Sequence, residues 1–154
     1  FNSNGDFNLP VGKRDYNGSS RKNIASFNQI SNEKKITFKN SDFRDIEKMD
    51  LAKDDLVYFD PPYLLGLASY NESGGWTKND ENDLHSLLTR LDNRGIRFAL
   101  SNVLEHKGEL NKIMKDWIDK KTYTVHKLNY HYNNSNYHST AKNNKTTEVL
   151  ITNY

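Results

Sequence analysis

Cysteine is absent from all 154 residues, which excludes disulfides and thiolate-held metal sites. No apolar stretch approaches the ~18 residues that a membrane-spanning helix needs, and nothing resembles a signal peptide. A soluble, cytoplasmic protein without a membrane partner is the default expectation. Glycine is sparse: the eight stand at 5, 12, 18, 66, 74, 75, 95 and 108, and no two are separated by a single residue. A glycine loop of the kind that cradles phosphates therefore cannot be placed. With 34% hydrophobic residues and a mean hydropathy of -0.93, the core is thin, yet the length suits a single compact domain if its sheet is complete. The five histidines, His85, His106, His126, His131 and His138, have no spacing that favours a metal, and each reads as a surface or loop residue.

Proline is equally scarce, and two of the three stand together at 61 and 62. They end the run Leu56-Val57-Tyr58-Phe59, whose four apolar or aromatic residues suit a strand buried on both faces. Asp60-Pro61-Pro62-Tyr63 then falls where the strand leaves its sheet, the place where open α/β sheets bind ligands. Consecutive prolines remove backbone donors, fix φ and leave stiffly held carbonyls free to accept. A carboxylate, a bare carbonyl and an aromatic face suit a planar ring with an exocyclic amino group, such as adenine. Asp60 and the Pro61 carbonyl can accept the two amino protons while Tyr63 stacks on the ring. The plainer alternative is a turn followed by a half-buried aromatic residue.

The rest of the chain alternates. Asn4-Gly5 between short flanks predicts a hairpin over 1–12. Residues 21–31 predict a short helix capped by Ser19 or Ser20, with Ile24, Phe27 and Ile30 on one side. Strands are expected over 35–39, 55–59 and 96–100. Helices are expected over 79–93, with Leu84, Leu87, Leu88 and Leu91 facing the core, and over 105–118, with Leu110, Ile113, Met114 and Trp117. Strands near 122–129 and 146–153 would form an antiparallel edge. The pattern is α/β with a mostly parallel sheet and an antiparallel C-terminal strand. Long polar stretches from Leu64 to Trp76 and from Leu128 to Asn144 read as loops, functional or disordered.

The tetrapeptide resembles the catalytic signature of the Dam-like family of DNA adenine-N6 methyltransferases. Other segments resemble it too. Phe1-Asn2-Ser3-Asn4-Gly5-Asp6-Phe7-Asn8-Leu9-Pro10-Val11-Gly12-Lys13 is similar to a segment late in the family's target-recognition region, although Phe1 lacks the tyrosine hydroxyl expected there. Asn40-Ser41-Asp42-Phe43 is similar to the Asp-Phe pair bordering the cofactor adenine, and Glu148 to Tyr154 to the last strand of several restriction-system methylases. Ser101-Asn102 resembles a strand-end position of the family, though turn chemistry explains it equally well. The resemblance implies a Rossmann-like methyltransferase fold, incomplete at its N-terminus, with a recognition remnant over 1–33 and the C-terminal part of the catalytic core over 34–154. It implies Asp60, Pro61, Pro62 and Tyr63 as catalytic residues and S-adenosylmethionine as cofactor, bordered by Asp42, Phe43 and Asp60. Asp42 before a short amphipathic segment also suits a plain helix cap.

The family's Phe-x-Gly-x-Gly cofactor loop has no counterpart here, so the expectation is a fragment or one piece of a split enzyme. Its partners would be the missing N-terminal half and double-stranded DNA. Net charge is only +2, but residues 13–39 carry seven basic side chains against Asp15 and Glu33, and 121–154 carry four against Glu148. Such segments can neutralise phosphates or simply be solvated faces. Asn4, Lys13, Arg14, Tyr132, Asn133, Asn134 and Tyr137 are the expected DNA contacts. The implied activity is site-specific methylation of a flipped adenine in a restriction-modification or Dam-like setting. A non-catalytic DNA-binding subunit and an RNA adenine methyltransferase are the alternatives.

Overall fold

The computed structural model describes residues 16–65, 75–128 and 146–154. The expected hairpin, the expected DNA contacts and most of both polar loops lie outside them. The chain divides into two compact units, Phe1–Asn40 and Ser41–Tyr154.

In the first unit, helix α1 (Gly18–Glu33) starts earlier than expected because Asn17, not Ser19 or Ser20, is its cap. Asn17 has extended backbone and its Oδ1 accepts from the Ser20 amide at 3.0 Å, as a capping side chain must. Ile24, Phe27 and Ile30 share one side of α1 and are all exposed. The expected strand over 35–39 does not form. Lys35 adopts φ 53 and the Ile36 amide turns back to the Ser31 carbonyl at 3.3 Å, so this segment terminates the helix in a left-handed cap. Phe38 then returns to Phe27, with ring centroids 6.4 Å apart.

The second unit is a mixed sheet with helices. A 3₁₀ turn (Phe43–Lys48) precedes β1 (Leu56–Phe59), α2 (Lys78–Asn93), β2 (Arg97–His106), β3 (Glu109–Leu110), α3 (Lys112–Asp119), β4 (Thr124–Leu128) and β5 (Thr146–Thr152). The order is β1-β2-β5-β4, with β3 paired to β2. β1 and β2 are parallel, whereas β5 is antiparallel to both β2 and β4. The expected antiparallel C-terminal strand is therefore internal to the described sheet, and parallel pairing is confined to β1 and β2 among the described residues.

Two further expectations fail for identifiable reasons. The helix expected over 105–118 begins only at Lys112, because Lys107 (φ 51) and Gly108 (φ 84) form a two-residue turn with both φ positive and fold β3 back on β2. Leu110 consequently lies in β3, 42% exposed, rather than in the core stripe. β1 is not buried on both faces: Leu56 and Tyr58 share one face and are exposed, while Phe59 is buried on the other, because among the described residues the core packs against the face of Val57 and Phe59.

The core forms where the leucine stripe of α2 meets the sheet. Leu84, Leu87, Leu88 and Leu91 are at most 1% exposed and cluster with Phe98, Leu100, Met114, Val149 and Ile151. α2 ends at Gly95, whose φ of 72 permits the turn into β2. Asn153 ties that turn to the last strand, donating to Asp92 and the Ile96 carbonyl and accepting from the Phe98 amide. Among the described residues no helix is long and apolar enough to cross a membrane. Leu88→Ala is expected to cost about 2–5 kcal/mol of unfolding free energy in denaturant titration, since a fully buried leucine leaves a cavity.

Candidate active site

Parallel register sets the site. Phe59 of β1 lies opposite Leu100 of β2, so the chain beyond each brings Asp60 and Ser101 to the same end of the pair. Asp60 is exposed, and Pro61, Pro62 and Tyr63 are half-buried. The Tyr63 hydroxyl donates to Asp60 Oδ1 at 3.2 Å, folding the aromatic ring back over the turn. Burial raises the Tyr63 pKa, a side-chain hydrogen bond with Ser101 opposes this, and the negative charges of Asp60 and Glu148 raise it further. The phenol is therefore neutral and able to donate. Ser101 and Asn102 lie inside β2 rather than in a turn, and strand alternation sends them to opposite faces.

On the other side of β2, Asn102 reaches a buried carboxylate. Glu81, in the first turn of α2, is 0% exposed. Its Oε2 accepts from Trp76 Nε1 at 2.6 Å, and its Oε1 accepts from Asn111 Nδ2 at 2.7 Å and Asn102 Nδ2 at 3.4 Å. Burial raises the Glu81 pKa, while the three donors pull it back down. Asn111 also caps α3 through Met114, and Trp76 packs against Phe43 with ring centroids 5.3 Å apart. Phe43 thus connects through Trp76, Glu81 and Asn102 to the strand that borders the Asp60 turn.

Asp42 and Phe43 lie at the start of the 3₁₀ turn, and Asp42 is its cap, accepting from the Arg44 amide at 2.9 Å. That backbone hydrogen bond is the main reason its pKa is lowered. Arg44 also touches both Asp42 oxygens at 3.2 Å, and its Nη2 reaches Asp80 at 2.7 Å and Asp83 at 2.6 Å. Hydrogen bonding to Thr77, with Arg44 second, pushes the Asp80 pKa down to about 2. Phe43 and Trp76 form a half-buried aromatic pair beside the Asp42 carboxylate, which remains 55% exposed, an arrangement that could receive a planar ring bearing an amino group. Among the described residues no cluster of three or more potential metal ligands occurs.

His85 is buried, contrary to the surface position expected of it. It stacks on Trp117 at 4.4 Å and 3°, and neither ring nitrogen has a hydrogen-bond partner among the described residues. Burial pushes its pKa down to about 4, so its approach to Glu81, 3.7 Å from Nε2 to Oε1, is a contact with a neutral ring at neutral pH.

A family model for D12 class N6 adenine-specific DNA methyltransferases matches residues 1–148. The chain belongs to this family. It is 37% identical over 160 residues to the modification methylase StsI of Streptococcus sanguinis and 37% identical over 160 residues to the type II methyltransferase M.FokI of Planomicrobium okeanokoites. It is also 31% identical over 158 residues to the modification methylase LlaI of Lactococcus lactis subsp. lactis. Each match covers 100% of this chain but only 24% of the relative's length.

Reading the sequence for chemistry missed Arg44, Trp76 and Glu81. A signal for Glu81 was present, because positions 81, 84, 85, 88 and 91 fall on one helical stripe, and Glu81 and His85 interrupt it with polar groups. The folded pKa of His85, about 4, lies below its unfolded value of 6.5, so between these the unfolded chain takes up the proton first. Stability contributed by keeping His85 neutral is lost as pH falls through that window. Glu81, with its pKa raised, contributes in the opposite sense. His85→Phe should therefore gain on the wild-type protein by on the order of 3 kcal/mol between pH 6.5 and pH 4, measured by denaturant unfolding at each pH.

Proposed function

We propose that the complete enzyme containing this chain transfers a methyl group from S-adenosylmethionine to N6 of an adenine flipped out of duplex DNA, as part of a restriction-modification system. The observation that carries this reading is the family match together with Asp60-Pro61-Pro62-Tyr63 standing where β1 leaves its parallel neighbour. In the same reading the sheet belongs to a Rossmann-like methyltransferase core over 34–154, with residues 1–33 part of the target-recognition region. The remaining polypeptide supplies the glycine-loop part of the cofactor site. Leu56 and Tyr58, exposed on one face of β1, are an apolar surface that a further packed layer would cover.

An adenine amino nitrogen is a poor nucleophile because its lone pair is delocalised into the ring. Asp60 and the Pro61 carbonyl would accept its two protons, favour a pyramidal nitrogen and strengthen their bonds as positive charge develops. Pro62 keeps the turn rigid. Tyr63 would leave Asp60 and stack on the flipped ring, offsetting part of the cost of unpairing. Phe43 and Asp42 would receive the cofactor's adenine, and Asp60 borders the cofactor as well. When bound, S-adenosylmethionine supplies a methyl group already activated on a sulfonium. DNA contacts are assigned to Asn4, Lys13, Arg14, Tyr132, Asn133, Asn134 and Tyr137, and the localisation to the cytoplasm.

Tritiated-methyl transfer to duplex DNA by the complete enzyme tests the reading. Asp60→Ala should abolish transfer while cofactor affinity stays within about tenfold, the pattern of a lost transition-state contact; a variant with most of its activity would remove Asp60 from the mechanism. Tyr63→Phe should keep activity within about tenfold, and Tyr63→Ala should lose at least about a hundredfold, because stacking needs the ring and not the hydroxyl. Transfer to structured RNA in preference to duplex DNA would overturn the substrate.

A further inference from the structure

We infer that Glu81 is a positioning residue for the cofactor site: its carboxylate holds the Trp76 indole against Phe43 and so shapes the aromatic wall that receives the cofactor's adenine. This rests on the role proposed above for Asp42 and Phe43.

Glu81 occupies a position where an apolar side chain would continue the buried stripe of Leu84, Leu88 and Leu91. A carboxylate here has no cation beside it, since the neighbouring His85 is neutral, and desolvating it is costly. Its return is the simultaneous acceptance of three donors, divided between its oxygens. Oε1 serves Asn111 and Asn102, which belong to the α3 cap and to β2. Oε2 is bonded to Trp76 at 2.6 Å, short for an N–H donor.

Trp76 stands immediately before the Thr77 cap of α2, where Thr77 and Asp80 form a capping box. The helix start is thereby held by its own backbone bonds, and Glu81, five residues after Trp76, fixes the orientation of the indole. Trp76 in turn packs on Phe43 at an interplanar angle of 47°. Arg44 also lies over the Phe43 ring, its guanidinium carbon 4.4 Å from the centroid, and is anchored to Asp80 and Asp83 of the same helix turn. The first turn of α2 therefore grips the Phe43–Trp76 pair through one buried and one exposed contact.

Glu81→Gln isolates the function of Oε2. A glutamine can keep its oxygen toward the two asparagines, but then turns an amide donor toward the Trp76 N–H, which loses its acceptor. In the complete enzyme, Glu81→Gln should weaken S-adenosylmethionine binding about tenfold by calorimetry, with kcat at saturating cofactor within about twofold. Trp76→Phe, which keeps a ring and removes the donor, should weaken it severalfold, and the double variant should be no weaker than Glu81→Gln alone, the signature of one shared interaction. A Glu81→Gln protein with a lowered melting temperature but wild-type cofactor affinity would overturn the inference, leaving Glu81 purely structural. Additive losses in the double variant would overturn it too. Should Glu81→Gln not fold, unchanged affinity in Trp76→Phe overturns it alone. Failure of the wild-type complete enzyme to bind S-adenosylmethionine would overturn the underlying function as well, which separates the two.

Discussion

The second unit of this chain is organised around one buried carboxylate. Glu81 is reached by donors from the segment before α2, from β2 and from the cap of α3. Apolar packing alone would hold α2 on the sheet, since its four leucines are essentially inaccessible to water. It would not fix how far α2 slides or rotates, because dispersion and desolvation are weakly directional. Three hydrogen bonds converging on two oxygens are directional, and each donor left unpaired in this setting costs about 1–3 kcal/mol. Glu81 thus ties the register of the helix to the strand beside the Asp60 turn.

The exposed contacts of the same helix turn have a different character. Arg44 bridges Asp42, Asp80 and Asp83 within 2.6–3.2 Å, yet both the guanidinium and Asp83 are substantially solvated. Exposed pairs of this kind add little to stability, because solvent screens them. Their effect is geometric: three carboxylates around one planar cation orient the start of the 3₁₀ turn relative to α2. Asp80 and Glu81 also stand in the first helical turn, where the helix dipole favours negative charge. Adjacent residues of one turn therefore take separate parts, Asp80 half-buried at the surface with Arg44 and Thr77, Glu81 in the interior with Trp76.

The features legible in the sequence were those fixed by local chemistry. Leu56 to Tyr63 announces a strand that ends in a stiff turn, and the leucine spacing of 84 to 91 marks α2 within a residue of its observed bounds. What escaped depends on tertiary context or on a competing pattern. Leu110, Ile113, Met114 and Trp117 fit a helical stripe that overrode the Lys107-Gly108 turn signal, although lysine is a poor guide to positive φ. At 35–39 the alternation of a strand was present, but no neighbouring strand pairs with it among the described residues, and the end of α1 claimed the segment. Glu81 was inconspicuous among the polar residues of Lys78-Asn79-Asp80-Glu81-Asn82-Asp83, where a charged side chain is ordinarily solvated. Asp42 was readable as either a cap or a cofactor contact; the cap is formed, through one oxygen, and the carboxylate stays largely open to solvent.

The strengths of these contacts divide the site into a part that can rearrange and a part that cannot. The Tyr63–Asp60 bond is solvent-exposed and 3.2 Å long, so water can replace it and its loss costs at most about 1 kcal/mol. A ring stacking on Tyr63 and an amino group donating to Asp60 would more than compensate for breaking it, since stacking alone contributes about 1–3 kcal/mol per base. The bond can thus keep Asp60 partnered in the free chain without holding Tyr63 back from a substrate. The Trp76–Glu81 bond is shorter and ends on a fully buried oxygen, where a lost partner is not replaced by solvent. In the function proposed above, the site would admit a flipped base on one side and hold a second planar group on the other, a task that this asymmetry suits, and β2 turns Ser101 toward the yielding side and Asn102 toward the fixed one.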